Sequence, residues 1–222
     1  SRFKSTARKF MKSIIIYTNY PLDLYSMKWN TKAVDFIRRV QMQKTLVLVF
    51  HPNLAQSKAN KHLMHRLQQQ QSEYQIIDMY QLYPDGIIDA TAETQRLLSC
   101  SRLVLKFPVF WYSTPPLLKA WQDAVLTPMY YLNYATEGAL LQGLPVLLAA
   151  TAGNTVEAYS PQGSNRYQLE QLFIPLKATA HRCGWVWHSP FVVYQAMKAT
   201  PEILASEGER YLDYLRQWQN AV

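Results

Sequence analysis

The chain has 222 residues, 49% of them apolar, enough for one packed domain of ordinary size with at most an appendage. Its 23 Lys/Arg outnumber 15 Asp/Glu, but nine of those bases and two of those acids lie in residues 1–41, so the remainder is close to neutral and its charge gives no case for nucleic-acid binding. The two cysteines, Cys100 and Cys183, exclude a dense disulfide framework and a four-cysteine metal site, and no apolar run is long enough to cross a bilayer.

Residues 1–41 read as a basic N-terminal extension to which the sequence assigns no fold. It is either an appendage without a task or an arm that meets an anionic membrane surface or a partner. From residue 42 onward, strand-like and helix-like runs alternate. Thr45–Phe50 is a continuous β-rich apolar run, the signature of a strand buried on both faces of a parallel sheet. Ser57 then caps a helix through about Gln70. Gln75–Met79 is a second strand, Ala92–Leu98 a helix and Leu103–Phe107 a third strand. Thr114, ahead of Pro115 and Pro116, is a helix-start signal with threonine as the cap, and Leu117, Leu118, Trp121 and Val125 fall on one face. Leu144–Thr151 is a fourth buried strand, followed by a polar loop to Asn165. A helix from Gln168 to Cys183, a fifth strand Trp187–Tyr194 bent at Pro190, and a last helix from Pro201 to about Gln219 complete the chain. Such alternation implies an α/β fold, a three-layer sandwich with a five-stranded parallel sheet in the order 2-1-3-4-5 and helices on both faces. Ligands of such sheets sit beyond the carboxyl ends of the strands, where the strand order reverses. The loops after strands one, three and four are therefore expected to meet.

Those loops have unusual compositions. The first runs from His51 to Asn60. Amides at the start of the following helix, about Ser57, Lys58, Ala59 and Asn60, suit a phosphate, with the Ser57 hydroxyl, the Asn60 amide and a His51 ring N–H as further donors. The second loop, Pro108-Val109-Phe110-Trp111-Tyr112, puts three consecutive aromatics at a strand end, an exposure that a flat ligand such as an isoalloxazine ring would cover. Backbone N–H groups of Phe110 and Trp111 are expected at the ring edge, where they would stabilise developing negative charge. The third loop, Thr151-Ala152-Gly153-Asn154, offers amides for the ring's pyrimidine carbonyls, and Gly153 allows a close backbone approach or a left-handed turn. Tyr159 follows with an O–H that can stabilise an oxyanion. No phosphate-binding GxxxxGK motif, dinucleotide GxGxxG motif or metal-ligand spacing occurs.

Taken in order, several segments carry a family resemblance. They are His51-Pro52 with Ser57, Ala59 and Asn60; Tyr80-Gln81-Leu82-Tyr83-Pro84-Asp85; Phe107 to Ser113 running into Pro116-Leu117-Leu118-Lys119; Thr151-Ala152-Gly153; Asn165-Arg166-Tyr167; and Trp187-His188-Ser189-Pro190. From about Lys44 to Leu215 the chain resembles the NAD(P)H:quinone oxidoreductases of flavodoxin-like fold, and within them the ancillary subunits of glutathione-gated potassium efflux systems. The resemblance implies FMN or FAD as cofactor, held by His51 and Ser57 to Asn60 at the phosphate, by Pro108 to Trp111 along the ring and by Thr151 to Asn154 at its far edge. It implies hydride transfer from NAD(P)H to flavin N5, then two-electron reduction of a quinone, with Tyr112, Tyr159 and Asn165 beside the reacting groups. It also implies a homodimer with the site near the subunit boundary. The location would be cytoplasmic, peripheral on the inner membrane face where a potassium antiporter is the partner. Three positions depart from the family pattern: Phe110 stands where members often carry glutamine, Ala152-Gly153 where the family has a glycine pair, and Asn165 where mammalian quinone reductases place a histidine.

Overall fold

A computed structural model of the chain describes residues 44–70 and 72–222. The basic extension assigned to residues 1–41 lies outside the described residues. The elements are β1 Thr45–Val49, α1 Lys58–Gln68, β2 Tyr74–Asp78, α2 Met79–Leu82, α3 Ala90–Leu98, β3 Arg102–Pro108 and α4 Pro116–Trp121, followed by β4 Pro145–Thr151, α5 Leu169–Leu172, α6 Ile174–Arg182, β5 Val186–Trp187, β6 Phe191–Val193 and α7 Pro201–Ala221.

Among the described residues the pairings between these strands are parallel, in the order β2-β1-β3-β4-β5, with β6 also on β4. The expected fifth strand is present in two pieces. Val186–Trp187 pairs with the start of β4 and Phe191–Val193 with its end, and Pro190 lies in the gap, where it has no N–H to give a ladder. Every residue of β1 is buried, as its unbroken apolar run requires of a strand covered on both faces.

Alternation along the strands makes two cores. Leu46, Leu48, Leu103, Leu105, Phe107 and Leu148 face a layer containing Trp121, Met129 and Phe173. Val47, Val49, Val104, Leu147, Phe191 and Val193 face α1 and α7 through Leu63, Leu67, Tyr211 and Leu215. Each such aliphatic side chain contributes about 1.5–3 kcal/mol when removed from water. Gly208 lets α1 and α7 approach closely: a Cβ there would stand 3.0 Å from atoms of both His62 and Arg66.

Four boundaries differ from the sequence expectation. Thr114 is not the cap of α4; Pro115 occupies that position, and no side chain caps this helix. The helix then continues in wider π-type turns through Gln122–Leu126 and Pro128–Leu132. The segment expected as one helix from Gln168 is broken at Phe173, where Pro175 has no N–H for a helix arriving from α5 and starts a new one instead. α3 begins two residues earlier than expected because Asp89, not a later residue, accepts from Ala92 N. The short α2 was not expected; Asp78 caps it by accepting from Tyr80 N and Gln81 N.

Candidate functional site

The carboxyl ends of β1, β3, β4 and β6 form one lip, and main-chain bonds stitch the loops leaving them. Phe50 N donates to Lys106 O, Val109 N to Thr151 O, and Ala152 N to Val193 O, each at 2.8 Å. The three loops singled out by composition therefore start side by side.

At the β1 side, Ser57 caps α1. Its Oγ accepts from Asn60 N at 3.2 Å and from Asn60 Nδ2 at 3.1 Å. Asn60 is buried, and its Nδ2 also reaches Thr151 Oγ1 at 3.0 Å, joining the first loop to the third. The first-turn amides, Lys58 and Ala59 among them, have no acceptor one turn back and add the positive end of the helix dipole. Lys58 is exposed and Ala59 buried. His51 is half-buried, and its Nδ1 accepts from Asn53 N at 3.1 Å. The neutral ring therefore carries its proton on Nε2. Burial, and then the positive charge of Lys106, hold the His51 pKa below the ordinary histidine value, so the neutral donor is the resting form.

At the β3 side, Pro108 is buried and Val109 half-buried, while Phe110, Trp111 and Tyr112 are exposed, Trp111 at 92%. Phe110 and Ser113 exchange two main-chain bonds of 2.9 Å around a two-residue turn. Its central residues, Trp111 (φ 45°) and Tyr112 (φ 64°), both lie in the left-handed region. Such a turn ordinarily takes Asn-Gly, and holding two aromatics there costs on the order of 1–2 kcal/mol per residue. The Phe110 N–H is consumed by this bridge and is not free for a ligand, which corrects the expectation of two ring-edge amides from this loop; the Trp111 amide is the one outside the bridge.

At the β4 side, Thr151 and Ala152 are buried. The Thr151 hydroxyl belongs to the Asn60 cluster, and the Ala152 amide donates to Val193 O. Gly153 and Asn154 are exposed, and a Cβ on Gly153 would meet nothing within 4 Å. Its φ is not in the left-handed region, so the close approach, not a left-handed turn, is what this glycine allows. A cavity of about 430 Å³ is lined by Val109, Trp111, Tyr112, Gly153, Asn154, Tyr159, Asn165 and Lys198. Tyr112 Oη donates to Asn165 Oδ1 at 3.3 Å, and the Tyr159 and Tyr194 rings pack 6.1 Å apart. Burial, and then Tyr112, raise the Tyr159 pKa, so this phenol is a hydrogen-bond donor and not a source of phenolate. The loop bearing these groups is tight: a Cβ on Gly163 would collide with the carbonyls of Glu157 and Ala158.

Two residues of this lip were not singled out from the sequence. Lys198 joins the cavity from the segment after β6, and nothing in its local sequence marks it. Lys106 is the more consequential. It is 1% exposed near the end of β3, and its Nζ donates to Asn60 Oδ1 at 2.8 Å. Burial pushes its pKa down from the ordinary lysine range to about 7. Its signal was present: a lysine inside the otherwise apolar run Leu103-Val104-Leu105-Lys106-Phe107, one residue before a candidate ligand loop.

Residues 43–215 match the family model described as flavodoxin-like fold. The chain is 39% identical over 173 residues to an NAD(P)H oxidoreductase, YrkL, of Bacillus subtilis (strain 168), covering 78% of this chain and 98% of the relative. It is 35% identical over 175 residues to the glutathione-regulated potassium-efflux system ancillary protein KefG of Pectobacterium carotovorum, covering 79% and 94%. Among solved structures, general stress protein 14 of Treponema denticola, in complex with FMN, superposes with a TM-score of 0.73 at 31% identity, covering 79% of this chain and 99% of that one.

Proposed function

The chain belongs to the flavodoxin-like NAD(P)H oxidoreductase family, and from that premise we propose that it is an FMN-dependent NAD(P)H:quinone oxidoreductase working as a homodimer. The observation that carries this reading is the junction of three loops on one lip, with a buried donor cluster at one end and an aromatic-rimmed cavity at the other. The residues present fit the cofactor on two counts. The α1 end offers free amides, a cap hydroxyl, a neutral histidine donor and a buried cation, a donor set suited to a phosphate. Open space above Gly153 leaves the backbone free to approach a flat ring.

Bound flavin supplies the two-electron carriage between nicotinamide and quinone, which no side chain provides. The protein holds and orients. Ser57, Lys58, Ala59, Asn60 and His51 bind the phosphate. Pro108, Val109, Phe110 and Trp111 line the ring, with the Trp111 amide as donor, and the Gly153 and Asn154 amides bind its far edge. Thr151 and Ala152 brace that edge from beneath. Tyr112, Tyr159 and Asn165 receive the acceptor, and the Tyr159 O–H donates to a quinone oxygen as negative charge grows there. The homodimer reading would give the exposed Trp111 a surface to pack against.

The test is the visible spectrum of the purified chain, mass analysis of the released chromophore, and NAD(P)H oxidation with and without a quinone. FMN release with quinone-dependent oxidation supports the reading; a colourless protein that takes up no FMN refutes it. The likeness to an efflux-system ancillary protein favours a second reading, a regulatory subunit of a potassium antiporter with little turnover. FMN binding, background quinone reduction and retention on antiporter-containing membranes would select it.

A further inference from the structure

The flavin reading counts Lys106 among the groups at the phosphate end without saying how it acts there, and its surroundings are unlike those of a structural charge. β3 places it on the face covered by α1 and α7, two residues after Val104. Among the described residues its Nζ has one hydrogen bond, to Asn60 Oδ1 at 2.8 Å, and it lies 5.7 Å from the centroid of the Tyr211 ring. No carboxylate forms an ion pair with it among the described residues. A buried cation without an anion is costly, and burial alone accounts for its depressed pKa.

The shorter hydrogen bonds lead away from it, while a longer one of 3.4 Å runs back from the Thr151 hydroxyl to Asn60 Oδ1. Because the ammonium occupies Asn60 Oδ1, the Asn60 amide is fixed with Nδ2 toward Ser57 and Thr151. Ser57 Oγ accepts twice from Asn60, from N and from Nδ2, which fills its acceptor capacity. Its own hydrogen is thereby left to donate to something else. The series starts at a buried cation, passes through an oriented amide and ends in a hydroxyl donor at the head of α1. An anionic acceptor at that point completes it.

We propose that Lys106 is the positioning residue and buried counter-charge of the flavin phosphate site, acting through Asn60 and Ser57 to select phosphorylated over unphosphorylated flavin. The proposal rests on the FMN reading and adds a residue and a selectivity to it. In a dry interior the charge acts on the phosphate with little screening by salt, although it does not touch it.

The experiment measures FMN and riboflavin affinities of the full chain, stripped of flavin, by fluorescence quenching in the wild type, Lys106→Met and Lys106→Gln. Methionine removes charge and hydrogen bond; glutamine keeps an N–H for Asn60 Oδ1 and removes only the charge. Both variants are expected to lose on the order of 10–100-fold in FMN affinity, the scale of a charge-assisted interaction. Riboflavin affinity should stay within about threefold, so the FMN preference falls at least tenfold. An unchanged preference, equal losses for both flavins, or full restoration by glutamine overturns the proposal while leaving FMN binding intact. A wild type that binds neither flavin overturns the parent reading and this one with it. Should Lys106→Met fail to fold, Lys106→Gln alone decides the question.

Discussion

The two sheet faces each bury a charge, and they treat it differently. Glu93 of α3 is 0% exposed in the core that contains Trp121. Its carboxylate accepts from Tyr83 Oη at 2.9 Å, Trp121 Nε1 at 3.0 Å and Arg96 Nε at 3.0 Å. Charge and lone pairs are both answered within the protein. Lys106, on the opposite face, has among the described residues one neutral acceptor and no ion pair. The contrast separates a charge that serves the fold from one held ready for a ligand: the first is complete in the free chain, and the second is completed by what binds.

The strongest way to break this contrast is to supply the missing anion internally. Ser57→Glu puts a carboxylate at the head of the donor series. FMN affinity should fall by about 100-fold or more, since like charges set together cost several kcal/mol. Flavin content of the purified variant checks it. Next in size, Glu93→Leu leaves three donors around Glu93 without an acceptor and should cost about 3 kcal/mol in chemical unfolding, with the FMN affinity of the folded protein unchanged.

The complementary change goes the other way. Lys106→Met should leave the flavin-free chain as stable as the wild type or more stable, by about 1 kcal/mol at neutral pH. The pH dependence carries a definite sign. The folded pKa of about 7 lies below the ordinary value of 10.5, so between them the unfolded chain holds more protons. Wild-type stability relative to Lys106→Met should therefore rise as pH increases from about 7 toward 10.5, and be lowest below 7. Denaturant midpoints of the two flavin-free chains across that range measure it. The smallest effect is at the other end of the lip. Tyr112→Phe removes an exposed bond to Asn165 and should change stability by less than about 0.5 kcal/mol, while raising the KM for quinone.

These contrasts also show what the sequence discloses. β1, β3 and β4 were legible because unbroken apolar runs have few other homes than a doubly covered parallel strand. The meeting of the three loops followed from the strand order. The Pro190 interruption was legible, because proline cannot serve a ladder. The roles of individual amides were not. Whether Phe110 N–H or Ala152 N–H faces a ligand depends on the Ser113 bridge and on Val193, and composition records neither. Lys106 was passed over for a related reason. A strand run tolerates one lysine on an exposed face, and only the packing of α1 and α7 over β3 shows that this one has no exposed face.

The claim that a buried cation backs a phosphate site is tested most directly by phosphorus NMR of the FMN-loaded chain across pH 5 to 8. Free FMN gains its second charge near a pKa of about 6, and its resonance moves accordingly. The account expects the bound resonance to stay at the dianion position throughout in the wild type, and to titrate in Lys106→Met. A bound wild-type resonance that follows the free curve would contradict it.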